Sequence, residues 1–199
     1  GGTRIPIDEV RAIDNIFHGK TGSNLAVYFR SCGAKVTLLT SAQGLIPGFE
    51  DGNRLSFTTF DQLVDMMEKE IKIGGYDAII HSAAPSDYSV DEVFGLMPDG
   101  ITWKVLNRDC KIPSSYRKLR LEMIPTIKII DQVRHPWNFS GKLAKFKLEA
   151  GLSDEKLIGV ATESMHCSKA DFIVANCREW YKERAFIIGA DGSCVNVRR

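Results

Sequence analysis

The chain has 199 residues, 44% of them hydrophobic, and its 26 Lys and Arg nearly balance 25 Asp and Glu for a net charge of +1. Charges of both signs are interspersed, which removes electrostatic support for nucleic acid as a partner, and no apolar run approaches the ~18 residues of a membrane span. Five cysteines (Cys32, Cys110, Cys167, Cys177, Cys194) form no C-x-x-C, and the scattered His18, His81, His135 and His166 lack zinc spacing, so reduced thiols in a cytoplasmic protein without a structural metal are expected.

Taken in order, the chain alternates strand and helix signals. Gly1-Gly2 permits a tight turn or close approach of a ligand to the backbone, and Gly19-Lys20-Thr21-Gly22 forms the mouth of an amphipathic helix over 21–32. Leu25, Ala26, Phe29 and Cys32 keep helical spacing there, and Gly33 ends it. Lys35–Thr40 reads as a buried strand, 41–53 as a Gly/Pro loop and Arg54–Thr58 as a second strand. Thr59 and Gln62 make a capping box before a helix with Phe60, Leu63, Val64, Met67 and Ile71 on one face, stopped at Gly74-Gly75. Tyr76–Ser82 reads as a central strand, 91–120 as an irregular flap, and a helix is expected to open near Pro125. Further strands fall near 143–148, 171–175 and 185–188, with a helix over 154–168. Such alternation predicts an α/β fold of Rossmann-like, doubly wound type: one domain, 1–199, with a mainly parallel sheet and helices on both faces.

A glycine turn feeding a helix presents backbone N–H groups at the positive end of the helix dipole, where phosphates bind. The standard nucleotide motifs are absent: the P-loop glycine position is Asp14, and no G-x-G-x-x-G follows a strand. The loop therefore implies a phosphorylated ligand without naming it. Ser82-Ala83-Ala84-Pro85-Ser86-Asp87 follows a central strand, where open α/β sheets bind ligands. Its small residues admit a flat ring, and Asp87 can accept hydrogen bonds from a base or sugar or simply cap a helix.

GGTRIPIDEVRAIDNIFHGKTGSNLA (1–26), HSAAPSDY (81–88), KIPSS (111–115), and FKLEA (146–150) followed by ADFIVAN (170–176) together resemble, in order, the motifs of phosphopantothenoylcysteine synthetase, with the stand-alone form the nearer likeness. The resemblance implies a ligase of coenzyme A biosynthesis that joins 4′-phosphopantothenate to cysteine using CTP or ATP with Mg²⁺, acting as a homodimer. It implies catalytic roles for Asn15 and Lys111, and nucleotide contacts from Gly1, Gly2, Gly19, Lys20, Ala83, Ala84, Asp87, Phe146 and Lys147. Asn15 and Asn176 are the implied substrate contacts. The pair Pro125-Thr126 stands where bifunctional bacterial members have Pro-Asp, and Ile16-Phe17-His18 replaces small polar residues. Against the family pattern both ends look short, lacking a strand before Gly1 and a helix after Arg199.

Two rivals stay open on sequence alone. An NAD(P)-dependent reductase shares a glycine turn and parallel sheet but would need a Tyr-x-x-x-Lys pair, and Tyr88 is followed four residues later by Glu92. A non-catalytic nucleotide-binding or scaffold protein of the same fold is the other.

Overall fold

Period and capping decide most of the helices. The computed structural model describes residues 1–41 and 53–198; the expected loop at 41–53 falls, apart from its two end residues, outside them. Helix α1 spans Lys20–Ser31, α2 Phe60–Gly74, α3 Ile129–Arg134 and α4 Asp154–Ser168. The capping box is present: Thr59 Oγ1 accepts from Gln62 N–H at 3.3 Å and Gln62 Oε1 accepts from Thr59 N–H at 3.2 Å. Gly33 and Gly75 follow α1 and α2 with φ of 88° and 56°, the left-handed region that a helix-ending glycine reaches without strain.

The described residues fall into two compact units, one of Gly1–Met66 and Ala84–Lys128 and one of Met67–Ala83 and Ile129–Arg199. The first holds the hairpin β1 (Ile5–Pro6) and β2 (Ala12–Ile13), the parallel pair β3 (Leu38–Ser41) and β4 (Arg54–Phe57), and α1. It also holds an antiparallel sheet in which β6 (Tyr88–Leu96) lies between β7 (Trp103–Val105) and β8 (Leu119–Pro125). Val90, Val93, Leu106 and Ile112 form the core of this sheet, with Ile5, Ile7, Tyr116 and Leu121 packed against them.

The second unit is built on a five-stranded sheet in the order β12-β11-β10-β9-β5. Here β5 (Ala78–His81), β9 (Lys142–Glu149) and β10 (Phe172–Cys177) run parallel, while β11 (Arg184–Gly189) and β12 (Cys194–Arg198) are added antiparallel. Leu157, Ala161, Met165 and Ser168 make the buried stripe of α4, which packs on this sheet. With Leu143 and Ile173 fully buried beneath it, each large apolar side chain contributes about 1.5–3 kcal/mol.

Four expectations change. The strand read as central at 76–82 is β5, which lies at an edge of the five-stranded sheet among the described residues. The stretch 91–120 is irregular only in part: 91–96, 103–105 and 119–120 belong to an antiparallel three-stranded sheet, hidden from pattern reading by a register shift between Val90 and Val93, while 106–118 carries no strand or helix. Pro125 does not open a helix but ends β8, and α3 starts only at Ile129. A single, mainly parallel sheet is also not what the ladders form; among the described residues there are four sheets, two of them wholly antiparallel. Strands β1, β2, β6, β8 and β12 escaped the sequence pattern.

Candidate active site

Gly2 and Thr3 are buried in their unit. Gly2 bridges Ala84 in parallel, Arg4 bridges Thr59, and Gly2 N–H donates to Phe17 O at 3.1 Å. The glycines there are required by space. A β-carbon on Gly1 would lie 2.1 Å from Ser41 Oγ, and one on Gly2 would lie 2.4 Å from Asn15 Cβ. Asn15 is half-buried, its Oδ1 accepting Phe17 N–H at 3.0 Å and its Nδ2 reaching toward Ala84 O at 3.5 Å. Its amide is thereby oriented, with the carbonyl end engaged and the NH₂ end loosely held.

Beside it begins α1. Gly19 takes the capping position at φ 81°, no side chain caps the helix, and its first turn has no acidic residue. The N–H groups there remain available to an anion, and Lys20 stands exposed at the first helical position. Thr40, buried at 2% exposure, has a hydroxyl with no hydrogen-bond partner among the described residues. A β-carbon on Gly19 would lie 3.7 Å from that hydroxyl. An orphaned buried hydroxyl next to an uncapped helix start is a donor set suited to phosphate oxygens.

The loop after β5 is fastened from two sides. Thr3 Oγ1 accepts Ser86 N–H at 2.9 Å, and Thr126 Oγ1 donates to Ser86 O at 2.7 Å. The threonine that replaces an aspartate in the resemblance thus has a structural duty. Asp87 is exposed and pairs with Lys128; β6 follows it, so it caps no helix.

A third group of contacts pins Ile112, the residue after Lys111. Asp8 Oδ1 accepts the N–H groups of Val10 and Arg11 at 2.9 and 2.7 Å, while Oδ2 accepts Arg11 Nε at 2.9 Å and Ile112 N–H at 3.1 Å. The Arg11 guanidinium, helped by these backbone N–H groups, holds the Asp8 carboxyl well below the usual carboxylate range. Lys111 itself is exposed.

Of the residues expected to act, Gly1, Gly2, Asn15, Gly19, Lys20, Ala84, Asp87 and Lys111 belong to the first unit, and Ala83, Phe146, Lys147 and Asn176 to the second. The structure gathers Gly1, Gly2, Asn15, Gly19 and Ala84 by direct contact. In the second unit Phe146 and Lys147 sit on β9, where Lys147 pairs with Glu149 at 2.9 Å, and Asn176 is buried on β10. On β9, Lys145 is buried too, donating to Ser164 O and to the hydroxyls of Ser164 and Ser168 at 3.0–3.1 Å. Desolvation and then the Lys145 ammonium hold the His81 imidazole down at about 4. Thr3, Asp8, Arg11, Thr40, Arg108 and Thr126 were missed as site-building residues. Thr3, Asp8 and Arg11, inside the Gly-Gly-Thr, Pro-Ile-Asp and Val-Arg pieces of the first motif, and Thr126, in the pair that replaces Pro-Asp, carried a signal; Thr40 and Arg108 carried none.

The family profile described as the DNA/pantothenate metabolism flavoprotein C-terminal domain matches residues 1–191. A coenzyme A biosynthesis bifunctional protein CoaBC of Thermococcus kodakarensis is 35% identical over 178 residues, covering 88% of this chain and 39% of that protein. The chain thus spans about two fifths of that curated relative. Among solved structures, the DNA/pantothenate metabolism flavoprotein from Streptococcus pneumoniae superposes with a TM-score of 0.84 at 27% identity, covering all (100%) of this chain and 89% of that one. A Cab2 mutant in complex with phosphopantothenate-cysteine shares the fold, with a TM-score of 0.75 at 18% identity over 98% of this chain and 78% of that one. A family match over nearly the whole length, on a fold shared with the streptococcal flavoprotein, means that this chain belongs to the family of the DNA/pantothenate metabolism flavoprotein C-terminal domain.

Proposed function

We propose that this chain performs the ligase step of coenzyme A biosynthesis that joins 4′-phosphopantothenate to cysteine. The observation that carries the reading is the placement of Asn15, held against Gly2 and Ala84 beside the uncapped start of α1. The relatives' role in coenzyme A biosynthesis, and the phosphopantothenate-cysteine bound by the Cab2 mutant, support the choice of substrates.

An unactivated carboxylate is a poor acyl donor, so a nucleoside triphosphate, CTP or ATP, would serve as cosubstrate. The phosphopantothenate carboxylate attacks the α-phosphorus, the bond to the β-phosphate oxygen breaks and pyrophosphate leaves. The cysteine amine then attacks the acyl carbon of the mixed anhydride, the nucleoside monophosphate departs, and the nitrogen's proton passes to solvent as the amide forms. The Asn15 amide N–H would donate to the acyl oxygen as it gathers charge, where an aspartate would repel it. Lys111, a mobile point charge, would neutralise the triphosphate. Gly1, Gly2, Gly19, Lys20, Ala83, Ala84, Asp87, Phe146 and Lys147 are assigned to the nucleotide, and Asn176 to the acyl substrate.

Mg²⁺ would supply charge neutralisation at the phosphates. The donor set fits an ion carried chiefly by the nucleotide, since no group of three or more His, Cys, Asp or Glu side chains among the described residues is placed to cage one.

That the stretch 1–199 serves as one nucleotide-binding ligase domain, and that its setting is cytoplasmic, belong to the same proposal. No helix among the described residues is long and apolar enough to cross a membrane. A homodimer is proposed through the β6–β8 sheet. Tyr88, Val105, Leu119, Met123 and Ile124 are 38–50% exposed there, and β8 is an edge strand of seven residues, a ready template for pairing.

Release of pyrophosphate that requires both phosphopantothenate and a nucleotide, with amide product only when cysteine is added, tests the reading. Pyrophosphate release indifferent to phosphopantothenate, or bound NADPH, would overturn it. Competition between CTP and ATP in the same assay assigns the nucleotide.

A further inference from the structure

We propose that Arg108 and Asp8 form a two-point latch that fixes the backbone on both sides of Lys111, making them positioning residues for that ammonium, a proposal that rests on the reading of Lys111 above.

The segment Arg108-Asp109-Cys110-Lys111-Ile112 is anchored at its two ends and exposed between them. At its start the Arg108 guanidinium donates to four backbone carbonyls, Ile7 O at 3.1 Å, Pro6 O at 2.7 Å, Val90 O at 2.6 Å and Asp91 O at 2.8 Å. These come from two different segments, the end of β1 with the residue after it, and the strand β6. A planar fork with five donors can serve such a set at once; a lysine has three donors at a single nitrogen and cannot span it.

At the far end Ile112, 1% exposed, gives its N–H to Asp8 and its carbonyl accepts from Arg11, which Asp8 in turn holds. Asp109, Cys110 and Lys111 between the anchors are exposed. Four residue steps separate Arg108 from Ile112 and can span at most about 14 Å, so the intervening backbone is a short, doubly tethered loop. Lys111 directly precedes a pinned residue, and its freedom is therefore that of a side chain.

Both anchors share the β1–β2 hairpin and its turn, with Arg108 also held to β6, and the hairpin leads within a few residues to Asn15. Lys111 and Asn15 consequently hang from one small frame. Placement at this scale matters chemically, since a displacement of about 1 Å can cost ~10²-fold in rate. A pin serving stability alone would not need to bracket the lysine; this one closes on it from both sides.

The test uses the full chain with Arg108→Ala, Arg108→Lys, Asp8→Asn, Lys111→Ala and the double variant R108A/K111A. The expectation for Arg108→Ala is a fall in kcat of about 10²-fold, with a smaller change in KM for the nucleotide. In the Lys111→Ala background the same change should cost almost nothing, because residues acting as one unit are non-additive. Arg108→Lys should not rescue turnover. Independently of activity, hydrogen exchange at 109–112 and tryptic cleavage after Lys111 should rise in Arg108→Ala and Asp8→Asn.

Equal losses with and without Lys111, or wild-type turnover in a folded Arg108→Ala protein, would overturn the latch. Wild-type turnover in Lys111→Ala would instead sink the role of Lys111, while exchange at 109–112 still decides whether the latch holds its segment. Should Arg108→Ala not fold, the Arg108→Lys and Asp8→Asn variants carry the same comparison.

Discussion

Gly2 and Asn15 are packed so closely that a β-carbon on the glycine would lie 2.4 Å from the Cβ of the asparagine and 3.2 Å from its Cγ. Both are fixed by the same backbone, Gly2 N–H donating to Phe17 O and Phe17 N–H donating to Asn15 Oδ1. Gly2→Ala must therefore displace the Asn15 side chain. Turnover is expected to fall by at least ~10-fold, against a loss of about 1–3 kcal/mol in stability from overpacking. Steady-state kinetics beside thermal unfolding checks it, and full activity would show that Asn15 has room to move.

Asn15→Asp keeps size and reverses the chemistry. Nucleotide binding should stay near normal while the ligase reaction falls by about 10² or more, the scale of losing one oxyanion donor. Isothermal titration with nucleotide and single-turnover amide formation separate the two effects. Unchanged turnover would remove Asn15 from the mechanism.

Acid stability should carry the mark of His81. Its folded value of about 4 lies below the ordinary ~6.5. The unfolded chain therefore binds the proton first, and stability is lost as pH falls from about 6.5 toward 4. Asp8 acts in the same direction at lower pH. Its folded value is depressed, so its contribution is present above the ordinary ~3.9 and is lost as pH falls below that. Denaturant melts of wild type and His81→Gln between pH 4 and 7 should show a flatter pH dependence in the variant; parallel curves would contradict this.

Self-association through β8 predicts a mass near twice 22.2 kDa in light scattering at micromolar concentration. Ile124→Asp, at a position 45% exposed on that strand, should shift the protein toward single chains while its circular dichroism spectrum stays that of the folded wild type, with a melting temperature lowered by the lost association. A wild-type mass near one chain would end the proposal.

Legibility from sequence followed the range of the interactions involved. Helices α2 and α4 were readable because their stripes and caps are local: Thr59 with Gln62 before α2, and Leu157, Ala161 and Met165 within α4; α1 was placed by its spacing and by Gly33, yet of its expected stripe only Ala26 is buried, and Phe29 and Cys32 are exposed. The strand β6 was not, because Asp91 and Glu92 fall at the register shift and break the two-residue alternation. Pro125 was ambiguous, since proline opens helices and also ends strands. Asn15 and Gly2 were legible as a motif, but the reason for the glycine lies in a contact thirteen residues away. Arg108 gave no signal at all, because its partners at Pro6, Ile7, Val90 and Asp91 are assembled only by the fold.

The antiparallel addition of β11 carries a practical consequence. β10 runs from Phe172 to Cys177, and β11 returns beside it so that Gly189 pairs with Phe172. The turn at 190–193, with Gly192 at φ 84°, therefore sits at the amino end of β10, roughly 20 Å of strand from Cys177. Asn176 and the carboxyl end of β9, where Lys147 and Glu149 pair, lie at the other extreme. A fluorophore, affinity handle or inserted peptide at 190–193 would thus be remote from these residues, giving biophysical work on this protein a natural point of attachment.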